Sequence, residues 1–312
     1  MRTVKLPGAI RCLKANEGLT LPERIEKDTF TGKIKGGGIM LQLLPGKVTV
    51  ENDVVFGATG KRDLKCDIYR PPVEGKNRPG LLLIHGGAWQ SGDRSQLRYY
   101  GIQMARVGFV GVSCEYRLSG EAPWPAQIHD VKAALRWMRA NADHLGIDPD
   151  KICVTGNSAG AHLALMLGCD TEGLEGNGGN PGVSSRCAAV CAIYPPTRVR
   201  FRKNVVEDKL LGEAGSDEVA AQASPIQYAK AGFPPTILIH GNADQVVPNN
   251  ESFNMYHALN QAGVGVELHI FDGAPHAFDV LPDFARQCVQ LITLFFDRKV
   301  VNPGPVNVPV GA

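Results

Sequence analysis

Apolar and polar positions first fall into a regular pattern from Lys47. Val48, Val50, Val54, Val55 and Phe56, then Leu64, Cys66, Ile68 and Tyr69 before Pro71-Pro72, predict two strands with a Gly-containing turn between them, an antiparallel edge. Leu81-Leu82-Leu83-Ile84 is different: an unbroken apolar run is what a strand buried on both faces of a parallel sheet presents. Further core strands are expected at 109–113, 152–155, 188–193, 236–239 and 266–271. Between them apolar residues recur at helical spacing. Ile128, Val131, Ala134, Leu135 and Met138 follow Pro125, a residue that a first helical turn tolerates. Helices are also expected at 95–107, 159–168, 251–261 and 284–296. Strands alternating with helices mean an α/β fold, a mostly parallel central sheet flanked by helices. No repeat with a period of roughly 20 to 50 residues is visible, which argues against a solenoid.

Three stretches fall outside the pattern. Residues 1–46, with Gly36-Gly37-Gly38, read as an N-terminal extension, and 301–312, with Pro303, Pro305 and Pro309, as a C-terminal tail; a catalytic domain is expected over 47–300. Within it, 196–225 breaks the alternation with a basic run (Arg198, Arg200, Arg202, Lys203) and Leu210-Leu211, and is expected either as a cap insertion over a pocket or as a solvated connection. With 312 residues, 44% of them hydrophobic, the chain can bury one large core. Its 33 Lys and Arg against 31 Asp and Glu leave a net charge of +2, which offers no field for nucleic acid or an anionic membrane and fits a small-molecule substrate. No segment approaches the roughly 20 apolar residues of a membrane span. Arg2 and Lys5 are not followed by a secretory apolar run, and Cys66, Cys114, Cys153, Cys187 and Cys191 sit in or beside apolar β-like runs as reduced thiols do, so a cytoplasmic location is expected. A homodimer is left open.

The chemistry enters at Gly156-Asn157-Ser158-Ala159-Gly160, a G-x-S-x-G match set between a predicted buried strand and a predicted helix. A sharp strand-to-helix turn there would present the Ser158 hydroxyl above the sheet, at a helix N-terminus whose N–H groups favour developing negative charge. Alone, the same five residues could be a turn in which Ser158 merely caps the helix. In such an elbow the acid and then the base follow the nucleophile along the chain, each on a loop after a strand. Of the eight histidines, five follow Ser158: His162 and His257 fall in helices, His240 closes a strand ahead of any plausible acid, and His269 lies within a strand. His276, in the loop Asp272-Gly273-Ala274-Pro275-His276, is the expected general base. Asp244, in the loop directly after Ile237-Leu238-Ile239-His240, is the expected acid, with Asp272 and Glu213 as weaker rivals. His85-Gly86-Gly87-Ala88-Trp89 follows the first buried parallel strand, so Gly86 and Gly87, with the N–H of Ala159, are the expected oxyanion hole and His85 an orienting residue of the loop. Trp89, Trp124, Tyr194 and Phe278 flank these loops and are candidates to line an aromatic substrate site.

With these residues in place the chain resembles the α/β-hydrolases of the hormone-sensitive-lipase-like esterase group. The resemblance covers roughly 63–298 and rests on the His85 to Trp89 loop, Tyr116-Arg117-Leu118, Asp130 and its helix, the Ser158 motif, and the Asp244 and His276 loops. The His-Gly-Gly-Ala-Trp segment with Ser91-Gly92-Asp93 is most similar to the branch of feruloyl and acetyl-xylan esterases. The resemblance implies a serine carboxylesterase acting on small esters with short acyl, acetyl or feruloyl groups. Two positions depart from it: Asn157 stands where many relatives carry Asp, and Ala88 occupies the fourth place of an HGGG pattern. Arg117 and Asp130, charged in apolar surroundings, are expected to form a structural ion pair. No metal or cofactor is expected: there is no H-E-x-x-H or C-x-x-C, and Cys187 and Cys191 have no nearby histidine pair. An amidase, formamidase or peptidase would use the same three residues, and a small-molecule receptor could occupy the same fold but usually lacks one of them.

Overall fold

The alternating stretch after Lys47 folds as β1 (Thr49–Ala58) and β2 (Asp63–Arg70), paired antiparallel at one edge of the sheet. The structure is a computed structural model that describes residues 43–304 apart from Asp170, Glu172 and Phe201. Nearly all of the expected extension, and 305–312 of the expected tail, lie outside the described residues. The apolar runs become β3 (Arg78–Ile84), β4 (Val110–Cys114), β5 (Ile147–Asn157), β6 (Val190–Ile193), β7 (Thr236–Gly241) and β8 (Val266–Phe271). Their order is β1-β2-β4-β3-β5-β6-β7-β8; β2 runs antiparallel to β4, and every pairing from β4 through β3 to β8 is parallel.

Strand alternation divides the core between two layers. Leu82 and Ile84 of β3 pack with Ile128, Leu135 and Leu163, whereas Leu81 and Leu83 pack with Met104, Phe109, Phe295 and Phe296 on the other face. All are fully buried or nearly so, and each such side chain stabilises the fold by roughly 1.5–3 kcal/mol relative to exposure. The helices of the described residues are α1 (Arg98–Arg106), α2 (Ala126–Ala140), the short α3 (Ala142–Leu145), α4 (Ala159–Gly168), α5 (Val205–Leu211), α6 (Asp217–Gln222), α7 (Asn250–Gln261) and α8 (Pro282–Phe296), of which α1, α2, α4 and α8 bring all of these partners of β3 except Phe109.

Some boundaries differ from the pattern. The expected helix at 95–107 is a 3-10 turn, Arg94–Leu97, whose start is capped by the Asp93 carboxylate accepting from Ser95 N, and only then α1. β5 begins at Ile147, five residues ahead of the apolar run; Asp148 and Asp150 hide it because this end of the strand is partly exposed. β6 begins at Val190, two residues later than the apolar run. Past α8 the chain continues as a π-helical turn, Asp297–Val301, with Val300 buried, so the expected domain end falls inside an ordered turn. The 196–225 segment folds as α5, α6 and a 3-10 turn, Pro225–Tyr228, with Asn204 and Ser216 capping the two helices. It packs on the start of α2, where Trp124 N–H donates to the Leu210 carbonyl at 2.7 Å.

Candidate active site

Every loop singled out for chemistry leaves the carboxyl end of a parallel strand: the Gly86-Gly87 loop after β3, Ser158 after β5, Asp244 after β7 and His276 after β8. Parallel strands end on one edge of the sheet, so residues up to 190 positions apart in the chain meet there.

Ser158 sits between β5 and α4 with φ 51° and ψ −121°, a conformation that costs a non-glycine residue on the order of 1–3 kcal/mol. Its environment over-determines that geometry. The Ser158 N–H donates to the Ile193 carbonyl at 2.9 Å, and its own carbonyl accepts from His162 N at 3.0 Å. The turn also needs a glycine at 160, because a Cβ there would stand 2.0 Å from the Ile84 carbonyl oxygen. Gly87 is held at φ +113°, where an added Cβ would meet the Ser91 carbonyl oxygen at 2.1 Å. Ala88 and Trp89 follow at positive φ as well, so this loop is strained at two consecutive non-glycine residues. Gly86 and Gly87 both line the cavity beside Ser158, and Ala159 opens α4.

Ser158 Oγ donates to His276 Nε2 at 3.1 Å, and His276 Nδ1–H donates to Asp244 Oδ2 at 2.7 Å. The Asp244 side chain is fully buried, and its second oxygen accepts from the N–H groups of Val246 and Val247, each at 2.9 Å. The rival Asp272 is engaged elsewhere, accepting from Asn242 Nδ2 at 2.8 Å. The expected nucleophile, base and acid are thus brought into one hydrogen-bonded chain. His240, set aside as a base because of its position in the chain, lies behind the acid: its Nε2 is 3.3 Å from Asp244 Oδ2 and donates to the Val247 carbonyl at 2.9 Å. Burial holds His240 below the usual imidazole pKa. His85 stacks on Tyr116 with ring centroids 4.4 Å apart and donates from Nδ1 to the Gly86 carbonyl at 2.7 Å, stiffening the glycine loop; burial also lowers its pKa. Arg117 forms the expected ion pair, bidentate to the buried Asp130 at 2.7 and 2.8 Å.

A cavity of about 930 Å³ opens over Ser158 and His276. Of the four aromatic candidates, only Tyr194 is on its wall. Trp89, Trp124 and Phe278 are corrections to the expected lining: all three are buried in the core, and none borders the cavity. The Trp89 indole N–H is taken up by His162 Nδ1 at 3.2 Å and that of Trp124 by Gln222 at 3.1 Å, while Phe278 packs against Phe271, Phe284 and Tyr194. His162 in turn donates to the Ala223 carbonyl, and burial lowers its pKa to about 4. The wall is formed instead by Tyr99, Tyr100, Val206 of α5, Val246 and Val280, which no motif marks. Asp279 was also missed. It is a buried carboxylate bordering the cavity three residues past His276, and the available signal was an acid placed among Phe278, Val280 and Leu281.

Among known proteins, the BD-FAE family matches over residues 66–259, more than half of the chain. Esterase LipQ of Mycobacterium tuberculosis is 34% identical over 250 residues, covering 73% of this chain and 57% of LipQ. The chain spans about three fifths of the length of LipQ and of the related Mycobacterium tuberculosis proteins LipC and LipM. Among solved structures, the thermophilic esterase Est2 of Thermogutta terrifontis superposes with a TM-score of 0.73 at 28% identity, covering 84% of this chain and 96% of Est2. Est2 has also been solved bound to propionate, bound to butyrate and phosphorylated by paraoxon. A truncated carbohydrate esterase from gut microbiota superposes with a TM-score of 0.70 at 27% identity, covering 80% of this chain and 97% of that one. Fold, strand order and family match agree, and the chain belongs to the BD-FAE family of hormone-sensitive-lipase-like α/β-hydrolases.

Proposed function

We propose that this protein is a serine carboxylesterase that hydrolyses small carboxylic esters through an acyl-enzyme on Ser158. The observation that carries the reading is the hydrogen-bonded chain Ser158 Oγ to His276 Nε2 and His276 Nδ1 to Asp244 Oδ2, on a strained elbow facing a cavity. His276 takes the Ser158 proton as the oxygen attacks the ester carbonyl, and Asp244 holds the imidazole in the tautomer that leaves Nε2 free to accept it. The N–H groups of Gly86, Gly87 and Ala159 receive the oxyanion, each such donor contributing about 100- to 1,000-fold in rate. His276 then returns the proton to the departing alcohol, and water attacks the acyl-enzyme by the same route.

The cavity supports the substrate class. Tyr99, Val206, Val246 and Val280 form an apolar mouth, and the residues 196–225 supply part of it through Val206, which is the role we propose for that segment. Such a wall takes up an acyl chain or an aromatic acid by burial and asks for no counter-charge. Propionate and butyrate bound to Est2 support short acyl groups.

The test is initial hydrolysis rates on p-nitrophenyl acetate, butyrate and octanoate and on methyl ferulate, for the parent protein and Ser158→Ala side by side. The parent hydrolyses at least the short esters, and Ser158→Ala loses about 10⁴-fold or more in kcat. Equal rates in the two proteins would remove Ser158 from the reaction.

A further inference from the structure

The Asp279 carboxylate is 3% exposed and borders the cavity, yet the reaction as written does not use it. Three side chains from three different elements donate to it. Tyr194, on the loop after β6, donates to Oδ1; Asn157, the residue before the nucleophile, donates to Oδ2 at 3.2 Å; and Tyr100 of α1 stands 3.5 Å from Oδ2. Tyr194 in turn lies against the His276 ring with centroids 4.7 Å apart. The Asn157 amide group also lies within hydrogen-bonding reach of Tyr194, whereas among the described residues its Oδ1 is buried without a partner.

We infer that Asp279 is a positioning residue, tying the loop that carries His276 to the nucleophile elbow through Asn157 and to the ring beside the base through Tyr194, and that the amide at 157 is matched to this carboxylate. The groups facing Asp279 are Tyr100 from α1, Tyr194 and Cys191 from β6 and its following loop, Cys288 from α8, and His276 from its own loop. Burial keeps both tyrosines and both thiols in their neutral forms, so His276 is the one group among these that can carry a positive charge. Burial pushes the Asp279 carboxyl above its ordinary pKa, and the Tyr194 and Asn157 donors pull against that rise. A second carboxylate in this setting would have His276 alone among these groups as a possible counter-ion, and His276 must be neutral to accept the Ser158 proton. Two carboxylates at the 3.2 Å separation of Asn157 and Asp279 share a proton whose pKa is raised by their mutual repulsion, and above that pKa both are ionised and repel.

The test is a charge exchange read by pH profile. Asn157→Asp is expected to acquire a new basic limb in kcat/KM: relative to the parent at the same pH, its activity is retained while the carboxylate pair holds its proton and falls by roughly tenfold as the shared proton leaves. The reciprocal double variant, Asn157→Asp with Asp279→Asn, restores one amide facing one carboxylate, loses the new limb and recovers to within about threefold of the parent. If Asn157→Asp alone does not fold, by circular dichroism, while the double variant folds and is active, the same coupling has been read in stability. A parent-like pH profile in Asn157→Asp, or a double variant as impaired as that single one, would overturn the role of Asp279. The inference rests on the proposed esterase reading, so Ser158→Ala is measured alongside. Activity surviving there removes the reading itself, whereas activity lost there with no new limb in Asn157→Asp removes only Asp279.

Discussion

At Asp244 the carboxylate oxygen that holds His276 also faces the Nε2 of His240, so two histidines converge on one atom while two backbone N–H groups occupy the other oxygen. The position has room only for acceptors. Asp244→Asn would turn an amide nitrogen toward one of these donors, or force His276 into the tautomer whose Nε2 carries the proton and cannot accept one. The expected outcome is a fall of about 10³- to 10⁴-fold in kcat with a near-unchanged thermal midpoint, measured by steady-state kinetics and a melt. A variant retaining more than a tenth of the parent rate would take Asp244 out of the machinery. Ser158, Asp244 and His276 were legible in the sequence because each stands on a loop directly after an apolar strand, where spacing along the chain stands in for position in space. His240 and Asp279 were not. His240 meets Asp244, Val247 and Ser252 because the chain after β7 turns back on the strand end, and Asp279 draws its three donors from residues 85 to 179 positions away. Trp89, Trp124 and Phe278, unlike Tyr194, do not border the cavity, for the opposite reason: a Trp beside a motif loop looks the same in sequence whether its indole N–H meets substrate or, as at Trp89, a buried histidine.

At the scale of elements, α5 is the part of the cavity wall that the fold supplies from outside the strand-helix alternation. Its Val206 is partly exposed and borders the cavity, while Leu210 and Leu211 are buried and anchor the helix. A change at Val206 therefore alters the mouth without disturbing the anchor. Val206→Trp is expected to narrow it, lowering the octanoate-to-acetate ratio of kcat/KM by roughly tenfold while acetate alone changes by less than about threefold. Measured chain-length profiles of the two proteins decide this, and an unchanged ratio would place the acyl chain elsewhere. The central strands were plain in the sequence because burial on both faces leaves unbroken apolar runs, as in β3 and β7. The start of β5 and the two short helices of 196–225 were not, since half-exposed segments carry polar residues whose periodicity over four to seven residues is too brief to read.

For the whole molecule, one geometric fact organises the rest: six consecutive strand neighbours, from β4 through β3 to β8, run parallel and end on one edge, so a single strained turn after β5 can be served by loops from β3, β7 and β8. The two apolar layers on either side of the sheet hold those strand ends in register, and no helix among the described residues is long and apolar enough to cross a membrane. If that convergence makes Ser158 the nucleophile, one serine should be far more reactive than every other in the chain. Intact-protein mass spectrometry during inactivation by paraoxon reads this directly. The expected result is a single diethylphosphoryl group per chain, mapped by peptide analysis to Ser158, accumulating in step with loss of p-nitrophenyl butyrate hydrolysis and absent from Ser158→Ala. Inactivation without that adduct, or an adduct that persists in Ser158→Ala, would contradict the assignment.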